Sequence, residues 1–255
     1  MIFVIDIGNT NTVFGIFDQN RLVSQWRLVS SHTRTVDEYW IAVRLLASDS
    51  KIDFQQIEGV IISSVVPDLT QNVRQMAVRY LNREPLVVSH RLNLGLQLLV
   101  DNPAELGADR ICNAVAGKEH YPRPQIIVDL GTATTFDILN EAGDYVGGSI
   151  APGMLTAAAE LIHKAAQLYR VEWTYPAHLV GRNTREHLQG GVFVGHIAMI
   201  EGLIQRLKAE LHWPRVHVVA TGGLCEEIVR YAPFIDDAAP QLTLEGLHLL
   251  YQRNS

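Results

Sequence analysis

The chain opens on an apolar run, Ile2-Phe-Val-Ile5, that meets Asp6, passes through Gly8-Asn-Thr-Asn11 and turns apolar again at Val13 and Phe14. A short apolar run closed by turn residues predicts a strand, a tight turn and a second strand. Leu22–Leu28 reads as a third strand. Thr35–Leu46 has helical spacing, with Val36, Tyr39, Trp40, Val43 and Leu46 expected on the buried side. Gly59–Val65 is a buried-type strand stopped before Pro67, Leu69–Leu81 is helical, and Leu86–Val88 is a short strand. Asn102-Pro-Ala-Glu105 carries the marks of a helix start, with Asn102 as cap, Pro103 in the first position and Glu105 reaching back. The expected helix runs on through Gly107 and Arg110.

The second half repeats this logic. Ile126–Asp129 is a strand, followed by Leu130-Gly-Thr132, a second strand Thr134–Leu139, a turn at Gly143 and a third strand Tyr145–Ile150. Helices are expected from about Met154 and Thr184, a strand at Val216–Ala220, and a closing helix Leu242–Tyr251 with Leu244, Leu247 and Leu250 on one side. Strand hairpins followed by alternating helices and strands imply α/β architecture, with mixed sheets flanked by helices. The boundary between halves is expected near Tyr121-Pro-Arg-Pro124, giving domains 1–121 and 122–255.

The repeated unit carries the candidate chemistry. Gly8 and Gly131 permit turns whose backbone N–H groups face outward. Asn9, Thr10, Asn11, Thr132, Thr134 and Thr135 add short polar side chains suited to phosphate oxygens. Asp6 and Asp129 end apolar strands and cannot ligate phosphate themselves, but they suit a cation, or its water shell, that offsets phosphate charge. A single copy is equally consistent with an ordinary strand-terminating turn; two copies favour a duplicated nucleotide-binding fold.

Asp109 and Arg110 are neighbours on the expected helix, so their side chains point about 100° apart and take different jobs. A carboxylate aimed into a cleft accepts a proton, and a guanidinium binds a carboxylate or phosphate; two solvated helix charges are the plainer alternative. Gly107 inside a helix costs about 1 kcal/mol relative to alanine, and a close approach of ligand or backbone is one reason to tolerate it. Thr221-Gly-Gly223 either receives a flat ligand such as adenine or is only a strand-to-helix turn, and Asn183-Thr-Arg-Glu186 has the pattern of a helix cap.

Composition narrows the classes. With 255 residues, 47% of them hydrophobic, the chain can build two cores, and a formal net charge of −6 with scattered Lys and Arg lacks the footprint of a nucleic-acid binder. The apolar start is too short and too interrupted for a signal peptide or membrane span, so no membrane association and a cytoplasmic location are expected. Cys112 and Cys225, far apart and without neighbouring histidines, read as buried thiols. Neither a Walker loop nor a G-x-G dinucleotide motif occurs.

The two hairpins together with Ala220-Thr-Gly-Gly223 resemble the actin, sugar-kinase and heat-shock-chaperone ATPase superfamily, whose duplicated, ribonuclease H-like domains clamp a nucleotide between hairpin loops. Within it, Asp6-Ile-Gly-Asn-Thr-Asn11, Leu106-Gly-Ala-Asp-Arg110, Asp129-Leu-Gly-Thr-Ala-Thr-Thr135 and Gly181-Arg-Asn-Thr184 together resemble type III pantothenate kinases over nearly the whole chain. That resemblance implies ATP-dependent phosphorylation of pantothenate in coenzyme A synthesis, by a homodimer using Mg2+ and either K+ or NH4+. By position it assigns Asp6, Ile7, Gly8, Asn9, Thr10, Asn11, Thr12 and Val13, with Thr132, to ATP, and Asp129 to the monovalent cation. Gly107, Ala108, Asp109, Arg110 and Thr184 would line the pantothenate pocket, with Asp109 as proton acceptor and Thr184 near the partner subunit. Val100 stands where the family often has a substrate-contacting tyrosine. An accessory protein that keeps the fold without turnover, and a kinase for another hydroxyl acceptor, are the competing readings.

Overall fold

The computed structural model describes residues 1–50 and 52–255, which divide into two compact units, Met1–His120 with Gln241–Ser255, and Tyr121–Pro240.

The first unit is built on a five-stranded sheet. Its strands are β1 (Ile2–Ile7), β2 (Asn11–Asp18), β3 (Arg21–Val29), β4 (Gly59–Ser64) and β5 (Leu86–Val87), in the order β3-β2-β1-β4-β5. β1 runs antiparallel to β2 and parallel to β4. Alternation along β1 explains the two layers around it. Phe3, Ile5 and Ile7 pack with α1 (Val36–Ala47) and α2 (Pro67–Met76), whereas Val4 joins the residues of α3 (Ala108–His120).

Local signals set the helix ends. Thr35 and Glu38 form a reciprocal capping box at the start of α1. Tyr39, Val43 and Ala47 form its buried stripe, while Leu46, expected on the buried side, is 39% exposed. The buried stripe follows strict i, i+4 spacing, and Leu46 falls outside it. The helix expected from Leu69 to Leu81 is α-helical only as far as Met76 and continues as a π-helical turn, Ala77–Leu81, ended by Asn82 in the left-handed conformation.

The second unit repeats the plan. Its strands β6 (Gln125–Leu130), β7 (Ala133–Leu139), β8 (Tyr145–Pro152), β9 (His217–Thr221) and β10 (Asp237–Ala238) are ordered β10-β9-β6-β7-β8. Reversed, that is the order of the first sheet, and the directions agree: β6 is antiparallel to β7 and parallel to β9. The helices are α4 (Met154–Lys164), α5 (Thr184–Leu188), α6 (Gly195–Glu210) and α7 (Cys225–Val229), with a π-helical segment, Gln189–Val194, between α5 and α6. Ile126, Val128 and Leu130 are buried in one cluster with Phe193, Ile200 and Ile204.

The closing helix α8 (Leu242–Asn254) packs with the first unit, although it follows the second in the chain. Leu244, Leu247 and Leu250 share a core with Cys112 and Val115 of α3. Each fully buried leucine contributes about 1.5–3 kcal/mol, and Gly246 lies against the Cys112 backbone where a Cβ would collide. Among the described residues, no helix is long and apolar enough to cross a membrane.

Candidate functional site

In each unit the central hairpin ends in a turn braced from below. Asp6 closes β1 and is paired across the sheet with Val13 on one side and Ser63 on the other. The following turn is tied by the Gly8 N–H to the Asn11 carbonyl at 3.0 Å. Ser30 supports it, donating from Oγ to the Gly8 carbonyl at 2.6 Å and from its backbone N–H to the Thr10 carbonyl at 2.9 Å. Asn9 and Thr10 are exposed at the tip, whereas Ile7 and Thr12 are fully buried. The Thr12 hydroxyl lies 3.0 Å from Ser30 Oγ, so Thr12 shapes the turn from beneath.

The second hairpin places Asp129 opposite Thr135 and Thr221. Gly131 N–H bonds the Ala133 carbonyl at 3.0 Å, and the Thr132 carbonyl accepts from Gly153 N–H at 3.1 Å and from Thr156 Oγ1 at 2.7 Å. Thr132 is exposed at the tip. Thr134, counted by its type among the phosphate donors, is fully buried and 3.0 Å from His196 Nε2. It occupies the place of Thr12: each faces the hydrophobe that follows the aspartate, Ile7 with Thr12 and Leu130 with Thr134. Burial also lowers the pKa of His196, favouring its neutral form. Beyond β9, Gly222 adopts φ +87°, and a Cβ there would overlap Asp129 Oδ1.

Asp109 belongs to the first unit and stands in the opening turn of α3. Gly107 lies just before that helix, and the expected continuous helix from Asn102 is not formed. The Asn102 cap starts only a 3-10 turn, Pro103–Glu105, and Leu106 leaves it in an extended conformation. The glycine therefore carries no helix-interior cost; its lack of a side chain makes room for the Asp109 carboxylate. Asp109 Oδ1 accepts the Arg110 N–H at 2.8 Å. Burial raises the Asp109 pKa, opposed by that bond and by the Arg110 charge. Ala108 is buried, and Arg110 is half-buried.

Cys112, one turn along α3, ties these groups together. Its thiol pKa is raised well above the ordinary value by burial first and then by the Asp6 and Asp109 carboxylates. Asp6 and Asp109 are thus the two carboxylates that bear on this buried thiol. In the second unit burial likewise pushes Cys225 up to about 11, with a smaller contribution from Asp129.

Thr184 begins α5, but the cap is Asn183, whose Oδ1 accepts the Glu186 N–H at 3.0 Å. The Asn183 amide also donates to Glu186 Oε1 at 2.8 Å. Thr184 has no part in that cap. Among the described residues no three His, Cys, Asp or Glu side chains converge on a metal site. The donor set instead suits an ion that arrives on phosphates and takes one or two carboxylates, as Mg2+ does.

A family model for type III pantothenate kinase matches residues 2–206. The chain belongs to the type III pantothenate kinase family. A pantothenate kinase of this type from an Exiguobacterium species is 45% identical over 254 residues, spanning 100% of this chain and 99% of that protein. Two solved structures show the fold. A Campylobacter jejuni protein described within the Baf family of transcriptional activators superposes with a TM-score of 0.62 at 18% identity, over 98% of this chain and 97% of that one. An Arthrobacter polyphosphate/ATP-glucomannokinase gives 0.51 at 12% identity, over 99% of both. The duplicated sheets are those of the actin-like ATPase and sugar-kinase folds, and membership of a kinase family brings ATP and a divalent metal ion with it.

For a member of this family, Ser30, Ser63 and Thr156 are the neighbours that motif reading passed over, while Cys112 was read only as a buried thiol and Gly222 as part of a turn. Ser30 and Thr156 lie far along the chain from the turns they brace, so no local spacing signals them. Gly222 alone had a local mark, the Thr221-Gly-Gly223 turn after a strand.

Proposed function

We infer that this chain transfers the terminal phosphoryl group of ATP to the hydroxyl of pantothenate, giving 4'-phosphopantothenate and ADP at the first step of coenzyme A synthesis. The observation that carries this reading, beside family membership, is that Asp6 ends β1 on the sheet face packed by α3, the helix whose first turn carries Asp109, within one unit.

In this reading Asp109 accepts the proton of the pantothenate hydroxyl as its oxygen bonds to the terminal phosphorus. The bond from that phosphorus to the bridging oxygen breaks, and ADP leaves with the electron pair. The raised proton affinity of a buried Asp109 makes it a better base than an exposed carboxylate. Arg110 holds the pantothenate carboxylate beside Gly107 and Ala108, and Thr184 is a further pantothenate contact. The turn residues Asn9, Thr10 and Asn11 hold phosphate oxygens, Gly8 and Val13 shape and flank their turn, Asp6 acts on the phosphates only through their cation, and Thr132 is a further phosphate contact. Ile7 and Thr12 contribute from beneath by fixing the turn.

Magnesium, when bound, neutralises phosphate charge in a loose transition state. Asp6, closing an apolar strand, would hold this ion or its water shell, and Asp129 would hold K+ or NH4+. The working form is a homodimer with Thr184 near the partner subunit, and its location is the cytoplasm.

ADP release measured across a panel of small hydroxylated acids tests the reading. Turnover with pantothenate alone is expected. Release with a different acceptor, or with none, overturns it.

A further inference from the structure

On β4 the apolar run Val60-Ile-Ile62 ends at Ser63. Residues alternate between faces along a strand. Val4 of β1 and Ile61 of β4 share a core with Ile111 and Cys112 of α3, so Asp6 and Ser63, each two residues further on, lie on the α3 side of the sheet. The two are directly opposite in the parallel ladder, on strands about 4.8 Å apart.

Ser63 is 0% exposed, and its Oγ has no hydrogen-bond partner. The Cys112 thiol lies near enough for the hydroxyl to favour its ionised form, but the contact lacks hydrogen-bond geometry, and a thiol is a weak partner in any case. Asp109 Oδ1 is already engaged by Arg110. A buried hydroxyl left unmet costs stability that an alanine at the same place would not. Such a group makes physical sense if its partner turns toward it in another state of the site, and the adjacent carboxylate in the ladder is Asp6.

We propose that Ser63 is a positioning residue for the nucleotide-bound enzyme, its hydroxyl donating to the Asp6 carboxylate when a magnesium–nucleotide complex draws that carboxylate to the end of β1. One carboxylate oxygen is then held by Ser63 while the other faces the cation. The proposal rests on the kinase reading for the role of Asp6, but not on the identity of the acceptor.

The test compares wild type with Ser63→Ala and Ser63→Cys. Calorimetry measures the affinity for a non-hydrolysable ATP analogue, with Mg2+ and with EDTA, and a thermal scan gives the midpoint of the free protein. No acceptor is present, so a failed pantothenate assay overturns the proposed function without touching this result. Ser63→Ala is expected to bind the magnesium–nucleotide complex about 10-fold more weakly, the scale of one hydrogen bond to a charged group. Its affinity in EDTA should stay within about twofold of wild type, its free midpoint should equal or exceed the wild-type value, and Ser63→Cys should fall between. In turnover the KM for MgATP rises and that for the acceptor does not. Unchanged affinity with Mg2+, an equal loss in EDTA, or a lowered midpoint of free Ser63→Ala each overturns the proposal; the last would mean that the hydroxyl already serves the fold.

Discussion

The carboxylate of Asp109 fills the space that a side chain on residue 107 would need: a Cβ built on Gly107 would stand 2.5 Å from Asp109 Oδ1. The obstacle is the end of a flexible side chain, so the backbone can accept alanine while the carboxylate must swing aside. Gly107→Ala is therefore expected to fold with a near-normal melting midpoint and to lose about 10–100-fold in turnover through misplacement of the base. Nucleotide affinity, measured on the same preparation, should hold. A variant with full turnover removes the positional argument.

Asp109→Asn keeps the size of the side chain and removes its charge. Turnover should drop by about 10²–10⁴, with MgATP affinity little changed. The stability effect has a defined sign. Burial raises the folded-state pKa of Asp109 above that of an ordinary aspartate, so its contribution is fully present below the unfolded pKa and is lost as pH rises through the folded pKa. At neutral pH the ionised side chain is a net cost, and the asparagine variant should melt at or above wild type. That advantage should vanish in acid. Thermal scans from pH 3 to 8 check the trend, and a midpoint clearly below wild type at pH 7 would mark Asp109 as structural.

Gly222 combines φ +87° with an overlap between any Cβ and the Leu130 backbone, whose amide nitrogen lies at 2.7 Å. Neither obstacle is a movable side-chain tip. Gly222→Ala should cost about 1–3 kcal/mol from the backbone conformation alone and also push Asp129 from its place. Chemical denaturation gives the first effect. If Asp129 serves a monovalent ion, a lost response to that ion reads the second effect, and a fully stable variant would contradict the first.

If Asp129 serves a monovalent ion, the reaction should run well in K+ or NH4+ and poorly in Na+ at fixed Mg2+. Asp129→Asn should then abolish the difference between the salts. Equal wild-type rates in sodium and potassium would remove the monovalent site.

Exposed apolar side chains of the second unit, among them Ile150 at 68% and Val180 at 84%, accord with burial against a second copy around a two-fold axis. Sedimentation should give twice the 28.4 kDa chain mass. A monomer that is fully active at the concentration measured would exclude the dimer.

Much of the fold and part of the site were legible in the chain itself, because their signals are local. The apolar runs that became β1, β4 and β6, the two Asp-hydrophobe-Gly turns and the leucine stripe of α8 each lie within a few residues of one another. So did the Leu106–Arg110 motif. The strand order shared by the two sheets, the return of α8 to the first unit, and the burial of Thr12 and Thr134 beneath their turns were decided only by tertiary structure. Threonine has the same chemistry at a turn tip as beneath it; which way it faces depends on register and on partners such as Ser30 and His196 that lie 18 and 62 residues away. The role of Gly107 changed for the same reason. Spacing placed it inside a helix, but the Asn102 cap organises only one short turn, and what requires a glycine there is the neighbouring carboxylate in space.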